Sequence, residues 1–327
     1  YLAPYAVRNI QSNELIRQEA AKLGFTVGSD EVRKKLSEAK LPDEPVHRDH
    51  IRVQLLLTKL RDDYFDKQVP ASAAQVNALA MLLESEQQAI VARARLDAGE
   101  DFGKLAGELS LDNYTRTNQG ALGWRPRDVL AQMLGSSVPG DYAFGSVAGT
   151  LSQPRYDADI TKWAGYWLLK VTGKNEESQT AEVSAMLLDS EARAEKIRER
   201  LEAGEDFAAL AREFSQLDGV ADNGGNLGAV SQGALPQPAD DFVFNADTKA
   251  GALSGPIRDT TNPTTGGYWL VMVLEKADDR PIDAADRDSL KEKAVGDWVA
   301  DLWPSDNVVE DYLDDAKLAW AVNQAVE

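Results

Sequence analysis

Residues that could carry chemistry are sparse in this 327-residue chain, and their types exclude more than they permit. Cys is absent, which removes thiolate nucleophiles, disulfides and Cys-ligated zinc. The two histidines, His47 and His50, stand at i and i+3. No Cys or acidic ligand pattern surrounds them, so they read as the solvated start of a helix and not as a metal site. A serine nucleophile needs a base beside it, and no histidine occurs after His50 to serve as one. Asn223-Gly224-Gly225 is a turn that calls for positive φ; no strand, glycine loop and helix fingerprint makes it a phosphate cradle.

Charge narrows the partners. With 54 acidic against 35 basic residues the formal charge is −19, so a phosphate backbone is repelled and nucleic acid is not an expected partner. The 43% hydrophobic and 27% charged fractions are those of a soluble globular protein. The longest apolar runs, such as YWLVMVL at 268–274, fall far short of the ~20 residues that span a bilayer. No charged-then-apolar signal segment is present, yet the first residue is Tyr1 and not Met, which leaves room for a signal or membrane tether lost before it.

The elements that would position any site come in two copies. RLDAGEDF at 95–102 returns as RLEAGEDF at 200–207, an offset of 105 that also relates Met81-Leu82-Leu83 to Met186-Leu187-Leu188 and Ser110 to Ser215. Gly120-Ala-Leu-Gly123 answers Gly225-Asn-Leu-Gly228. GYWLLKV at 165–171 answers GYWLVMV at 267–273, now 102 apart. A period near 100 is domain-sized and too long for a solenoid unit. The repeats occupy 71–174 and 178–277, each reading as strand, helix, helix, loop, helix and strand.

The flanks are helical. NELIRQEAAKLG (13–24) ends at Gly24, GSDEVRKKLSEA carries Ser29 or Asp30 as a cap, and 50–68 puts Ile51, Leu55, Leu56, Leu60 and Tyr64 on one stripe before Val69-Pro70. Beyond the repeats, Leu290, Ala294 and Trp298 form a stripe, and Val309, Leu313, Ala316 and Trp320 another behind a Ser305/Asp306 cap. Each flank is too short to bury its own stripe. Residues 1–70 and 278–327 are therefore expected to form one discontinuous helical domain with the repeats inserted.

A strand-helix-helix-helix-strand unit with LxAGxDFxxLAxxxS, a GGxLG turn and a closing GY strand resembles the parvulin (PpiC-type) peptidyl-prolyl isomerase domain. The helical flanks are similar to the N-terminal chaperone module of SurA- and PrsA-like foldases. The resemblance implies an α+β protein: two parvulin-like domains, each a small antiparallel sheet with surrounding helices, plus an all-helical chaperone domain. It implies neither metal nor cofactor. Such a site holds a proline ring in an apolar pocket and stabilises a twisted amide.

Carrying the family's site across exposes a departure. Its two histidines fall on Ala80 and Trp167 in copy one, and on Ala185 and Trp269 in copy two, with Ala185 expected beside Trp269 on adjacent strands. The Cys/Asp position falls on Asp112, and on Leu217 or Asp218; these aspartates are the candidate catalytic acids, or else ordinary turn and cap residues. The Met of the pocket falls on Leu130 or Met133 in copy one and on Leu235 in copy two. The ring-packing Phe aligns with Ala239, leaving Phe242 and Phe244 nearby. Trp124, just after Gly123, is a further peptide-contact candidate. Replacing two imidazoles by one Ala and one Trp keeps volume while exchanging a polar network for an apolar plug, whose indole N–H then needs a partner.

Three functions remain open at this level. One is an extracytoplasmic, periplasmic or cell-surface foldase-chaperone that holds unfolded or nascent polypeptide. The second is a working isomerase relying on Asp112, Asp218 and pocket shape. The third is a non-catalytic scaffold. The first is the preferred expectation, and whether either repeat turns over X-Pro bonds stays open.

Overall fold

The computed structural model describes residues 2–175, 178–217, 219–220 and 222–303. The chain begins with α1 (Leu2–Lys22), α2 (Ser29–Glu38) and α3 (Pro45–Lys59). Then come β1 (Ser72–Leu83), α4 (Glu86–Asp97), α5 (Phe102–Leu109), α6 (Asn113–Thr117), β2 (Ala121–Arg125), α7 (Arg127–Leu134), α8 (Val138–Gly145) and β3 (Arg155–Lys162). The second half holds β4 (Gly165–Asn175), β5 (Thr180–Leu188), α9 (Glu191–Glu202), α10 (Phe207–Phe214), β6 (Asn226–Ser231), α11 (Gln237–Phe244), β7 (Ile257–Asp259), β8 (Thr264–Pro281) and α12 (Ala284–Asp301). Two compact units result: residues up to Ser72 together with those from Pro281 onward, and Ala73–Arg280.

In the first unit, the apolar stripes of α1, α3 and α12 face one another. Leu15 and Ile16 meet Val53 and Leu302, while Ala20, Leu56, Leu60 and Phe65 gather Ala294 and Trp298. Val32 and Leu36 of α2 cover Ile51. The long helix expected over 50–68 loosens into a π turn at Leu60–Tyr64 and a 3-10 turn at Phe65–Lys67. Arg287 of α12 grips that turn, donating to Asp66 and, at 2.9 Å, to the carbonyl of Val69. The stripe expected at Val309–Trp320 lies outside the described residues.

The second unit repeats its local devices at the 105-residue offset. Ser85 and Ser190 cap α4 and α9, and Asp101 and Asp206 cap α5 and α10. Arg95 and Arg200 each make a forked pair with Glu100 and Glu205 across the AGED turn. Ser110 and Ser215 accept the backbone N–H of Leu82 and Leu187. These contacts explain why these letters recur: each closes a chain reversal whose backbone groups would otherwise lack partners.

Sheet pairing departs from expectation. One sheet has the order β2-β1-β8-β3 and the other β6-β5-β4-β7, so each repeat's closing strand completes the other repeat's sheet. The boundaries 71–174 and 178–277 delimit the sequence repeats but not two self-closed sheets. The physical reason is the near identity of GYWLLKV and GYWLVMV, which lets either strand close either sheet. Leu168 thus pairs with Met186, while Arg155 pairs with Trp269. The sequence carries little strand signal at β2, β6 and β7, which are brief, or at β3, which is largely polar and interrupted by a bulge between Asp157 and Thr161.

Polar contacts line the crossing. Tyr166 donates from its hydroxyl to Glu84 Oε2 at 3.0 Å, and Lys162 donates to the carbonyl of Gly266. Burial pushes the Glu84 carboxyl up, with the Tyr166 hydroxyl and the Glu191 N–H pulling the other way. Burial likewise pushes Lys162 down to about 8, against the pull of Asp189 and Glu84.

Candidate functional site

Each sheet carries one buried tryptophan with a carboxylate at its indole. Trp269, fully buried, donates from Nε1 to Asp157 Oδ2 at 3.0 Å; Trp167 donates to Asp259 Oδ2 at 2.9 Å. Asp157 and Asp259 are 102 positions apart, the offset of the two tryptophans themselves. In both centres the indole comes from one repeat and the carboxylate from the other, because the closing strands are exchanged.

The carboxylates are saturated with donors. Ser136 donates its hydroxyl to Asp157 Oδ2, and the backbone N–H groups of Asp159 and Ile160 point at Oδ1. Asp259 accepts from the Thr261 N–H at 2.7 Å, the Thr261 hydroxyl at 2.6 Å and the Asn262 amide at 2.7 Å. Burial pulls the Asp259 carboxyl upward, but the hydrogen bonds from Thr261, Asn262 and Trp167 outweigh it and hold the group below its ordinary value. A carboxylate so engaged is a fixed anchor with little basicity to offer as a general base.

Apolar side chains surround these anchors. Ala80 and Trp269 share a core with Leu122, Leu130 and Leu134, fringed by half-buried Leu111, Tyr114, Met133, Val138, Tyr142 and Phe144. Ala185 and Trp167 share the other with Ala239 and Val243, fringed by Leu217, Leu227, Leu235, Phe242, Phe244 and Ile257. Each leaves a fringe, or cup, of partly exposed apolar side chains around a buried core over a sheet. The helices α8 and α11 lie beside the edge strands β3 and β7; α7 is an extra helix of the first repeat.

Several residues sit where sequence reasoning did not put them. Ala80 lies with Trp269 and Ala185 with Trp167, so Ala185 and Trp269 belong to different sheets; each Ala–Trp combination is kept, crosswise. Leu130 is buried in the core beneath the cup, and Met133 is half-buried on α7. Leu235, Phe242 and Phe244 do fringe the second cup. Asp112 is the N-cap of α6, its Oδ1 accepting the Thr115 N–H at 2.8 Å, and no hydrogen bond joins it to the Trp269–Asp157 pair. Asp218 falls outside the described residues. Trp124, on β2, is half-buried beneath the Arg280 guanidinium at 4.5 Å and is not part of the first cup's core.

His47 and His50 lie near the start of α3, where His47 Nδ1 is 3.8 Å from Glu44. Among the described residues no group of three or more His, Cys, Asp or Glu is placed to hold a metal. The residues missed were Asp157, Asp259, Ser136, Thr261 and Asn262. The signal for the two aspartates was available in their shared 102-residue offset, masked by divergent neighbours, RYDAD against IRDTT.

A four-stranded antiparallel sheet with helices against it and an apolar core on one face occurs twice, in the orders β2-β1-β8-β3 and β6-β5-β4-β7. The PpiC-type rotamase domain family matches residues 168–275, a stretch that begins on β4 and holds nearly all of the second sheet. That stretch of the chain belongs to the parvulin family of peptidyl-prolyl isomerase domains. It is similar to the chaperone SurA of Aromatoleum aromaticum, with 30% identity over 308 residues covering 78% of this chain and 66% of that protein. It is also similar to the foldase protein PrsA 3 of Bacillus cereus, with 30% identity over 148 residues covering 44% of this chain and 49% of that one. The chain thus spans about half to two-thirds of the length of these curated relatives. A solved structure of the peptidylprolyl isomerase PrsA from Bacillus anthracis aligns over 98% of this chain and 97% of that one, at 13% identity and a TM-score of 0.37.

Proposed function

We propose that this protein is an extracytoplasmic folding factor that holds unfolded polypeptide segments in its two cups, with isomerase chemistry weak or lost. The observation that carries this reading is the buried Trp–Asp anchor in each sheet, at a position where the resemblance implies a titratable centre. The resemblance implies imidazoles at the positions of Ala80 and Trp167, and of Ala185 and Trp269, whereas no histidine occurs between Ala73 and Arg280. The half-buried fringes of Leu235, Phe242, Phe244 and Ile257, and of Val138, Tyr142 and Phe144, are suited to apolar client side chains. A net charge of −19 keeps such oily surface in solution.

The chaperone names of the relatives and the absence, among the described residues, of any helix long and apolar enough to cross a membrane are compatible with a location outside the cytoplasm, free or tethered. The competing readings are an active isomerase and a scaffold. They separate in one pair of measurements on the full chain: suppression of aggregation of an unfolded client, and protease-coupled turnover of an X-Pro peptide. The expected result is suppression reduced several-fold by Leu235→Arg, with turnover near the uncatalysed rate. Turnover abolished by that change, with suppression untouched, would establish the enzyme; neither activity would favour the scaffold.

A further inference from the structure

The two cups are not chemically equivalent at their mouths. Arg155 of β3 pairs directly with Trp269 in the first sheet, and Ile257 of β7 pairs directly with Trp167 in the second. Directly opposed residues of antiparallel strands share a face, so each side chain stands at the rim of the cup its tryptophan floors. The two rim positions are 102 apart, the offset of the closing strands, and are therefore counterparts. One is a cation and the other an aliphatic side chain that packs against the core with Leu235 and Phe242.

Arg155 is exposed and lies over the Tyr142 ring at 5.9 Å. Among the described residues it has no ion-pair partner. Asp141, the acid lining the same cleft, is already engaged by Arg127. That cleft, of about 290 Å³, is also lined by Val138, Pro154 and Tyr156, the ring of Tyr156 packing on Tyr268 on the opposite face of the sheet. A free guanidinium beside apolar and aromatic walls, on a chain carrying 19 net negative charges, is complementary to a carboxylate on an otherwise apolar segment.

We infer that the cups divide client segments by charge: the Arg155 cup takes apolar stretches bearing a Glu or Asp, and the Ile257 cup takes uninterrupted apolar ones. The inference rests on the reading that the cups hold polypeptide. The acidic preference is local, set against the repulsion that the whole molecule exerts on acidic chains.

The test uses two labelled apolar decapeptides, identical except for a central Glu or Leu, each with a photo-cross-linking residue, against the full chain. The Glu peptide should cross-link to residues 138–156 and the Leu peptide to 235–257. Arg155→Ile should weaken the Glu peptide about three- to tenfold at low salt, Arg155→Lys should retain most of the affinity, and the difference should shrink in 0.5 M salt. Ile257→Arg should create a second acidic-peptide site. Cross-linking of both peptides to both cups, with Arg155→Ile silent, overturns the division of clients while leaving the cups as binding sites. Cross-linking to neither cup overturns both readings.

Discussion

At the residue scale, each sheet is anchored by one Trp–Asp pair. The indole fills space and spends its single donor on a carboxylate that is itself held by hydroxyl, amide and backbone donors. For Asp259 this has a pH signature. Its folded-state value lies below the ordinary 3.8, so the stability it contributes is present above that value and is lost as pH falls through the lower, folded one. Asp259→Asn should cost about 1–3 kcal/mol at pH 7, because donors are left facing the wrong group. The gap from wild type should narrow as pH falls below 3.8 toward the lower folded value. Urea midpoints at pH 7, 5 and 3 check this, and a gap constant with pH would show that the carboxylate charge is irrelevant.

At the element scale, the closing strands enter through glycines with almost no room. A Cβ on Gly267 would stand 2.9 Å from Leu82 Cδ1 and 3.2 Å from the Leu83 carbonyl oxygen; one on Gly165 would stand 2.8 Å from Leu187 Cδ1. Gly267→Ala should therefore cost about 1–3 kcal/mol by overpacking. Gly145→Ala, with nothing within 4 Å, should be close to neutral in the same thermal unfolding measurement. The glycines of the GY motif were plain in the sequence, and so were the helices, whose caps and stripes are local. Strand partnership was not legible, because two nearly identical strands give a sequence reader no means of saying which sheet each will join. Nor was the Trp–Asp pairing, since Asp157 and Asp259 reach their indoles only through that exchange.

At the scale of the whole molecule, the exchange makes Ala73–Arg280 one body and not two beads. It is directly testable because the chain has no native cysteine. Lys170 pairs with Ser184 across β4 and β5, a separation within reach of a disulfide. Lys170→Cys with Ser184→Cys should cross-link within a monomer, whereas Lys170→Cys with Leu79→Cys, the partner in a self-closed repeat, should not. The reverse outcome would mean that each repeat shuts on its own strand. The arrangement also bears on how the protein is made. The first sheet lacks an inner strand until Thr264–Pro281 has left the ribosome, some 180 residues after β1 has emerged. Throughout that interval β1 offers an unpaired oily edge, so the chain itself passes through the kind of unfinished state that needs minding.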